Sequence, residues 1–289
     1  MTTTQDLRML AKVFTRPVFA NLARTGNPHP VLDILAKHAL ISKNPLRPAT
    51  LASAFEDGWE ILAAGYRNEY VYKNELATRL VFKRHSPRTA SFQVELGVGS
   101  SIVDVAIANG TSTAYEIKTE FDSSKRLKSQ TADYLRVFDK VYVVTHPNHV
   151  ERYERELDPK VGLIVLSPKH ALSPLREARS NIENVEPRAV FRCLRRAEYL
   201  SATKELFGES PTLPNGVIAA YCEKLFLNLS PEEAHRVFVK ALRARTTDKS
   251  TVDFISLLPP SLRALGYATP LSNRQRGTLT DLLSCPLGT

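Results

Sequence analysis

A chain of 289 residues with 43% apolar and 24% charged side chains has the composition of a folded globular protein and excludes an intrinsically disordered one. No apolar run approaches the roughly 20 residues that cross a bilayer, and the opening MTTTQDLRMLAKVF has neither the apolar core nor the cleavage site of a secretory signal, so a cytoplasmic protein without membrane partners is expected. The net charge of +9 points to a polyanionic partner such as nucleic acid, and three scattered cysteines, Cys193, Cys222 and Cys285, are too few and too far apart for a zinc cluster or a disulfide framework.

From Asp6 to about Ile41 the pattern is helical, interrupted by Pro17, Pro28 and Pro30 and followed by Pro45 and Pro48, which predicts a small helical prefix. A longer helix is expected from about Thr50 to Leu80, broken near Gly65, because Trp59, Leu62, Tyr66, Tyr70 and Ala77 recur on one side. After His85-Ser86-Pro87 the period changes to alternation, and SFQVELGV, SIVDVAIA and TAYEIKT read as strands. A helix opening near Asp122 or Ser123 carries Leu127, Thr131, Tyr134 and Phe138 on one stripe. KVYVVT and GLIVLS read as buried strands on either side of a short helix from His149 to Leu157. From about Ser173 the pattern is helical to the end, most clearly in PEEAHRVFVKALRAR, with Ser230 as its N-cap. The expected fold class is α/β, a mixed sheet sandwiched by helices, in three segments: a helical N-terminal prefix (1–55), the core (56–170) and a helical C-terminal domain (171–289).

The chemistry lies in VDVAIANGTSTAYEIK. Strand periodicity puts Ile102, Asp104 and Ala106 on one face of the first strand and Ala114, Glu116 and Lys118 on one face of the second. Asn109-Gly110 supplies a tight turn, so the hairpin brings Asp104 beside Glu116. Two carboxylates and an ammonium gathered in this way suit a divalent metal: Mg2+ takes oxygen ligands and keeps several waters, so Asp104, Glu116 and the carbonyl of Ile117 suffice. Lys118 is then placed to position water or to stabilise a pentavalent phosphate. Glu95, flanked along its strand by Gln93 and Gly97, is a further candidate carboxylate.

These residues resemble the PD-(D/E)XK nuclease superfamily over the segment from Tyr66 to about Leu166, with Asp104 at the aspartate position, Glu116-Ile117-Lys118 as the (D/E)XK element, and Val103 in place of the eponymous proline. YRNEYVYKN, YEIKTEFDSSKRL and QTADYLRVFDKVYVVT look most like a bacterial and phage group of predicted nucleases known by a locus-tag name. The resemblance implies a restriction-endonuclease-like core and Mg2+ chemistry, with Mn2+ substituting. It also implies a glutamate of the first helix at the metal, matched by Glu69, and a Gln-x-x-x-Tyr pair beside the site, matched by Gln130 and Tyr134. Products with 5′-phosphates and a setting in antiphage defence or phage DNA processing are implied as well.

Phosphate contacts are expected from Arg67 and Lys73 beside Glu69 and from Lys125, Arg126 and Lys128 at the start of the second helix, with Tyr134 touching substrate. The expected function is Mg2+-dependent DNA hydrolysis, with which a two-fold homodimer is compatible. The rival is a nuclease-like scaffold that binds nucleic acid or protein without hydrolysis. A transcriptional regulator is a third option, and neither end shows a helix-turn-helix signature.

Overall fold

The computed structural model describes residues 3–38, 50–209 and 211–287. Ile41, Pro45 and Pro48 of the expected prefix lie outside the described residues. Two compact units are present, Met1–Ser86 with Pro168–His170 and Asp248–Thr289, and Pro87–Ser167 with Ala171–Thr247. These divisions differ from the three expected segments. A composition shift marks where the hydrophobic period changes, whereas a compact unit is set by burial between elements distant in sequence.

In the first unit, α1 (Thr4–Ala11) opens at Thr3, which forms a capping box with Asp6. Pro17 sits in the first turn of α2 (Arg16–Thr25), where its missing N–H costs nothing, and Gly26 ends that helix at φ 64. After α3 (His29–His38), the long expected helix is two: α4 (Leu51–Gly65), capped by Thr50, and α5 (Glu69–Leu76), capped by Asn68. The break therefore falls where the sequence placed it. α5 runs on as a π-helical stretch, Ala77–Arg84. The predicted apolar side finds its partner in Phe14, whose ring lies 5.7 Å from Phe55, 5.9 Å from Trp59 and 5.7 Å from Tyr70.

The second unit holds a six-stranded mixed sheet in sequential order: β1 (Ser91–Val98), β2 (Ser101–Asn109), β3 (Thr111–Lys118), β4 (Lys140–Thr145), β5 (Gly162–Leu166) and β6 (Leu172–Arg176). β1, β2 and β3 pair antiparallel, β3, β4 and β5 parallel, and β6 antiparallel to β5. β6 corrects the expectation of helix from Ser173, and its Pro174 is tolerated because the strand is an edge. Between β3 and β4 runs α6 (Leu127–Leu135), and between β4 and β5 runs α7 (Val150–Glu156). The start of α6 is later than expected because Asp122, read as its cap, instead accepts the amide and hydroxyl of Thr119 at 2.8 and 2.7 Å and closes a turn.

Among the described residues, four α-helices follow in this unit: α8 (Pro187–Cys193), α9 (Arg196–Phe207), α10 (Asn215–Phe226) and α11 (Pro231–Ala244). α11 opens at Ser230 in a capping box with Glu233, as its sequence predicts, and lies against β1, β2 and β3. The core on this face joins Ala106, Ala108, Ala114, Val141, Val143 and Leu163 of the sheet to Tyr134, Phe138 and Phe238. The first unit is completed by α12 (Lys249–Leu257), α13 (Arg263–Ala268) and α14 (Asn273–Ser284). Tyr70 and Asn74 are tied to the backbone just before α13, their side chains donating to the carbonyls of Ser261 (2.6 Å) and Pro260 (2.9 Å).

α11 is pinned to the hairpin by a buried polar group. His235 Nε2 accepts from the amide of Ser112 (3.4 Å) and lies 3.0 Å from its hydroxyl, so the ring is held neutral. Burial lowers the His235 pKa, opposed by the nearby Asp139 carboxylate. The folded value lies below the unfolded one, so the unfolded chain takes the proton first. His235 stabilisation should be complete above the ordinary histidine pKa of about 6.5 and decline as pH falls below it toward the folded value. Urea unfolding across that window should show this slope in the native chain and a flatter one in His235→Gln; parallel slopes would remove the assignment.

Candidate active site

The hairpin turn is tighter than the dipeptide predicts. Asn109 pairs with Thr111 across Gly110, and Gly110 alone takes positive φ, at 75°. From this turn the β2–β3 ladder runs to Val105↔Tyr115 and stops. Beyond it the amide of Ile117 donates to Asp104 Oδ2 at 2.7 Å, so a side chain takes the place that a strand carbonyl would fill.

The same point is irregular in β1, where the ladder skips from Val94↔Val105 to Leu96↔Val103 and Glu95 stands at φ 58 opposite Asp104. A left-handed non-glycine residue inside a strand is costly by about 1 kcal/mol or more. This kink overturns the expected facing of β2. Val103, not Asp104, joins Ala106 and Ala108 in the core, while Ile102 is 58% exposed. Asp104 is half-buried at the break. Strict alternation fails because it presumes an uninterrupted ladder.

In β3 the alternation holds. Glu116 and Lys118 stand in register with Val143 and Thr145 of β4, and both reach the same helix, α6. Glu116 is 1% exposed, and both its oxygens are engaged: Oε1 accepts from Lys118 Nζ at 2.5 Å and Oε2 from the Tyr134 hydroxyl at 2.7 Å. Lys118 Nζ also donates to Gln130 Oε1 at 3.1 Å. The backbone at Lys118 is fixed from β4, where Thr145 Oγ1 donates to the Lys118 carbonyl at 2.9 Å. A buried carboxylate is costly unless paired, and the ammonium and phenol supply that pairing through charge-assisted bonds.

Tyr134 corrects the expectation that it touches nucleic acid: it is fully buried and serves the carboxylate. Its hydroxyl lies 2.7 Å from two acceptors, Glu116 Oε2 and the carbonyl of Ile102, which a single proton cannot serve together. Burial, with the negative charges of Glu116 and Asp104, pushes its pKa far above the ordinary tyrosine range. Tyr134→Phe should therefore leave Glu116 short of a donor and cost about 1–3 kcal/mol in urea unfolding, without changing the helix content seen by circular dichroism. A cost below 0.5 kcal/mol would show the bond to be dispensable.

Sequence reasoning missed Asp133. Its Oδ2 accepts the Ser100 amide (3.1 Å) and the hydroxyls of Ser100 (2.9 Å) and Ser101 (2.7 Å), anchoring α6 to the β1–β2 turn. Burial raises its pKa, but these donors outweigh burial and hold it below the usual carboxylate range. Neither Asp133 nor Thr145 carries a sequence signal, since both act through partners brought near only by folding.

The remaining predicted residues are placed separately. Lys125 and Arg126 precede α6 rather than opening it, and Lys128 lies in its first turn; all three are exposed. Arg67, Glu69 and Lys73 belong to the first unit. Glu69 pairs there with Lys73 at 2.6 Å, the local i, i+4 bridge, with its side chain 54% exposed. Glu95 is exposed. Among the described residues, no three His, Cys, Asp or Glu side chains gather where they could hold a metal. Asp104, Glu116 and the Ile117 carbonyl still present only hard oxygen donors, the chemistry that Mg2+ or Mn2+ takes, and the Lys118 ammonium already sets a positive charge against Glu116.

The family described as bacteriophage P4 protein cII matches residues 63–259, which include the hairpin, α6 and every strand. The chain belongs to this family. Protein cII of Enterobacteria phage P4 is 39% identical to this family member over 61 residues, covering 21% of the chain and 23% of the phage protein. The chain thus matches about a quarter of the length of that curated relative. No solved structure matches it. Among the described residues, no helix is long and apolar enough to cross a membrane.

Proposed function

We propose that this cII-family chain is a Mg2+-dependent nuclease of the PD-(D/E)XK type that hydrolyses DNA. The observation that carries the reading is the convergence of four side chains singled out for chemistry in the sequence: Glu116, Lys118, Gln130 and Tyr134 form one hydrogen-bonded chain on the face covered by α6. Asp104 is fixed one strand away through the amide of Ile117.

Asp104, Glu116 and the Ile117 carbonyl would hold Mg2+, which when bound supplies charge neutralisation at the phosphate and makes water easier to deprotonate. Lys118, whose ammonium is held between Glu116 and Gln130, would offer that charge to the developing phosphate. Tyr134 orients Glu116 by donating to one of its oxygens. Glu95, opposite Asp104 across the β1–β2 ladder, is the helper carboxylate of the same unit, and Glu69 is the alternative implied by resemblance. A setting in phage–host conflict is in keeping with a phage relative.

One observation favours the second reading, a nuclease-like module that binds without cutting: both Glu116 oxygens are already engaged and the residue is buried. Incubation with linear, circular, single-stranded and RNA substrates, with Mg2+ or with chelator, separates the two. Cleavage that needs Mg2+ or Mn2+ supports the nuclease. Chelator-insensitive binding with no cleavage of any substrate supports the module.

A further inference from the structure

A second basic site lies in the sheet unit, near the hairpin turn instead of near Asp104. A cavity of about 330 Å³ is lined by Gly110 and by His235, Arg236, Lys240, Arg243 and Thr247. Gly110 sits at the turn between β2 and β3, six residues from Glu116, so a strand length of about 20 Å separates the two places. A Cβ at Gly110 would meet nothing within 4 Å, so nothing packs over the turn at that point.

Arg236, Lys240 and Arg243 are spaced four and three residues apart on α11 and so form a single stripe. Arg236 is exposed and forms no ion pair among the described residues. Arg243 Nε donates to the carbonyl of Thr89 at 3.0 Å, which fixes that guanidinium in place. Lys240 pairs with Glu205 at 2.5 Å, with both partners well exposed, and such a pair exchanges readily for another anion. His235, held neutral by Ser112, adds no charge of its own, so the surplus of positive charge is due to the three long side chains.

The three cations span seven residues of helix, a rise of about 10 Å. One strand of nucleic acid presents a phosphate about every 3.4 Å along the duplex axis. The stripe is therefore longer than a single free anion and long enough to reach more than one phosphate of a strand. We infer that Arg236, Lys240 and Arg243 form a backbone-binding track for a nucleic-acid strand at the hairpin-turn end of the sheet. For its class of ligand this rests on the nucleic-acid reading, though it does not need the hydrolytic chemistry.

The test is fluorescence anisotropy in chelator, so that no cleavage occurs, with labelled single-stranded DNA, duplex DNA and RNA titrated over a range of salt. The triple variant Arg236→Gln, Lys240→Gln, Arg243→Gln is compared with Arg24→Gln, Lys249→Gln, Arg274→Gln, which removes the same charge from exposed positions of the other unit. Thermal melts establish that both variants fold. The track variant should bind at least tenfold more weakly near 0.1 M salt and show a duplex salt slope shallower by about 2 to 3, while the control stays within twofold. Equal losses in the two variants would reduce the effect to net charge and overturn the track, as would heparin binding without DNA or RNA binding. Track-dependent binding with no cleavage in Mg2+ would sink the nuclease and leave the track standing.

Discussion

Asp104→Asn and Lys118→Met should each reduce Mg2+-dependent DNA cleavage by about a hundredfold to a thousandfold, the scale found when one electrostatic contributor is taken from a preorganised site. The two variants differ in what they do to the fold. Asp104→Asn keeps an oxygen for the Ile117 amide and removes only charge, so its unfolding curve should stay close to that of the native chain. Lys118→Met strips the ammonium from a carboxylate that is 1% exposed and leaves Glu116 with Tyr134 as its donor. Breaking a buried pair in this way costs about 3–5 kcal/mol. Pairing Lys118→Met with Glu116→Gln should recover much of that stability and none of the activity, which separates a catalytic role from a folding one. Chelation should abolish native cleavage, and Mn2+ should restore it. Full activity in both Asp104→Asn and Lys118→Met would remove the nuclease reading.

Sequence carried the parts of this site that depend on local period. Glu116 and Lys118 share a face because an uninterrupted strand leaves them no alternative, and Gln130 and Tyr134 share one because four residues make about one helical turn. The mixed sheet was legible for the same reason, five of its strands being announced by alternation or by short apolar runs. What failed was long-range. The facing of Asp104 is decided by a kink shared with Glu95 on the neighbouring strand, and β6 forms because β5 offers an edge to a segment whose own sequence, LSPLR, has little strand character. Asp122 had the residue type of a helix cap but found a nearer donor in Thr119. The direction in which Tyr134 acts was likewise out of reach, since substrate contact and carboxylate support call for the same residue at the same spacing.

The division of the chain can be tested through Phe238. This residue of α11 is fully buried, with its ring 5.3 Å from that of Phe138 at an interplanar angle of 77°, an edge-to-face pair in the core beneath the sheet. Phe238→Ala should lower the unfolding free energy of the sheet unit by about 3–5 kcal/mol, because it empties a fully buried aromatic position of this core. Phe238→Leu should cost about 1.5 kcal/mol or less. Phe138 lies three residues beyond the end of α6, and Tyr134 of α6 shares this core with Phe238, so the loss should also appear as weaker hydrogen-exchange protection in α6. If residues 171–289 instead formed a domain of their own, as the composition shift near Ser173 implies, Phe238→Ala would unfold the C-terminal helices and leave exchange in α6 unchanged. Protection lost in α6 and α11 together would place α11 within the cooperative unit that contains the sheet, and would make this helix, remote in sequence from Glu116 and Lys118, a determinant of how firmly they are held.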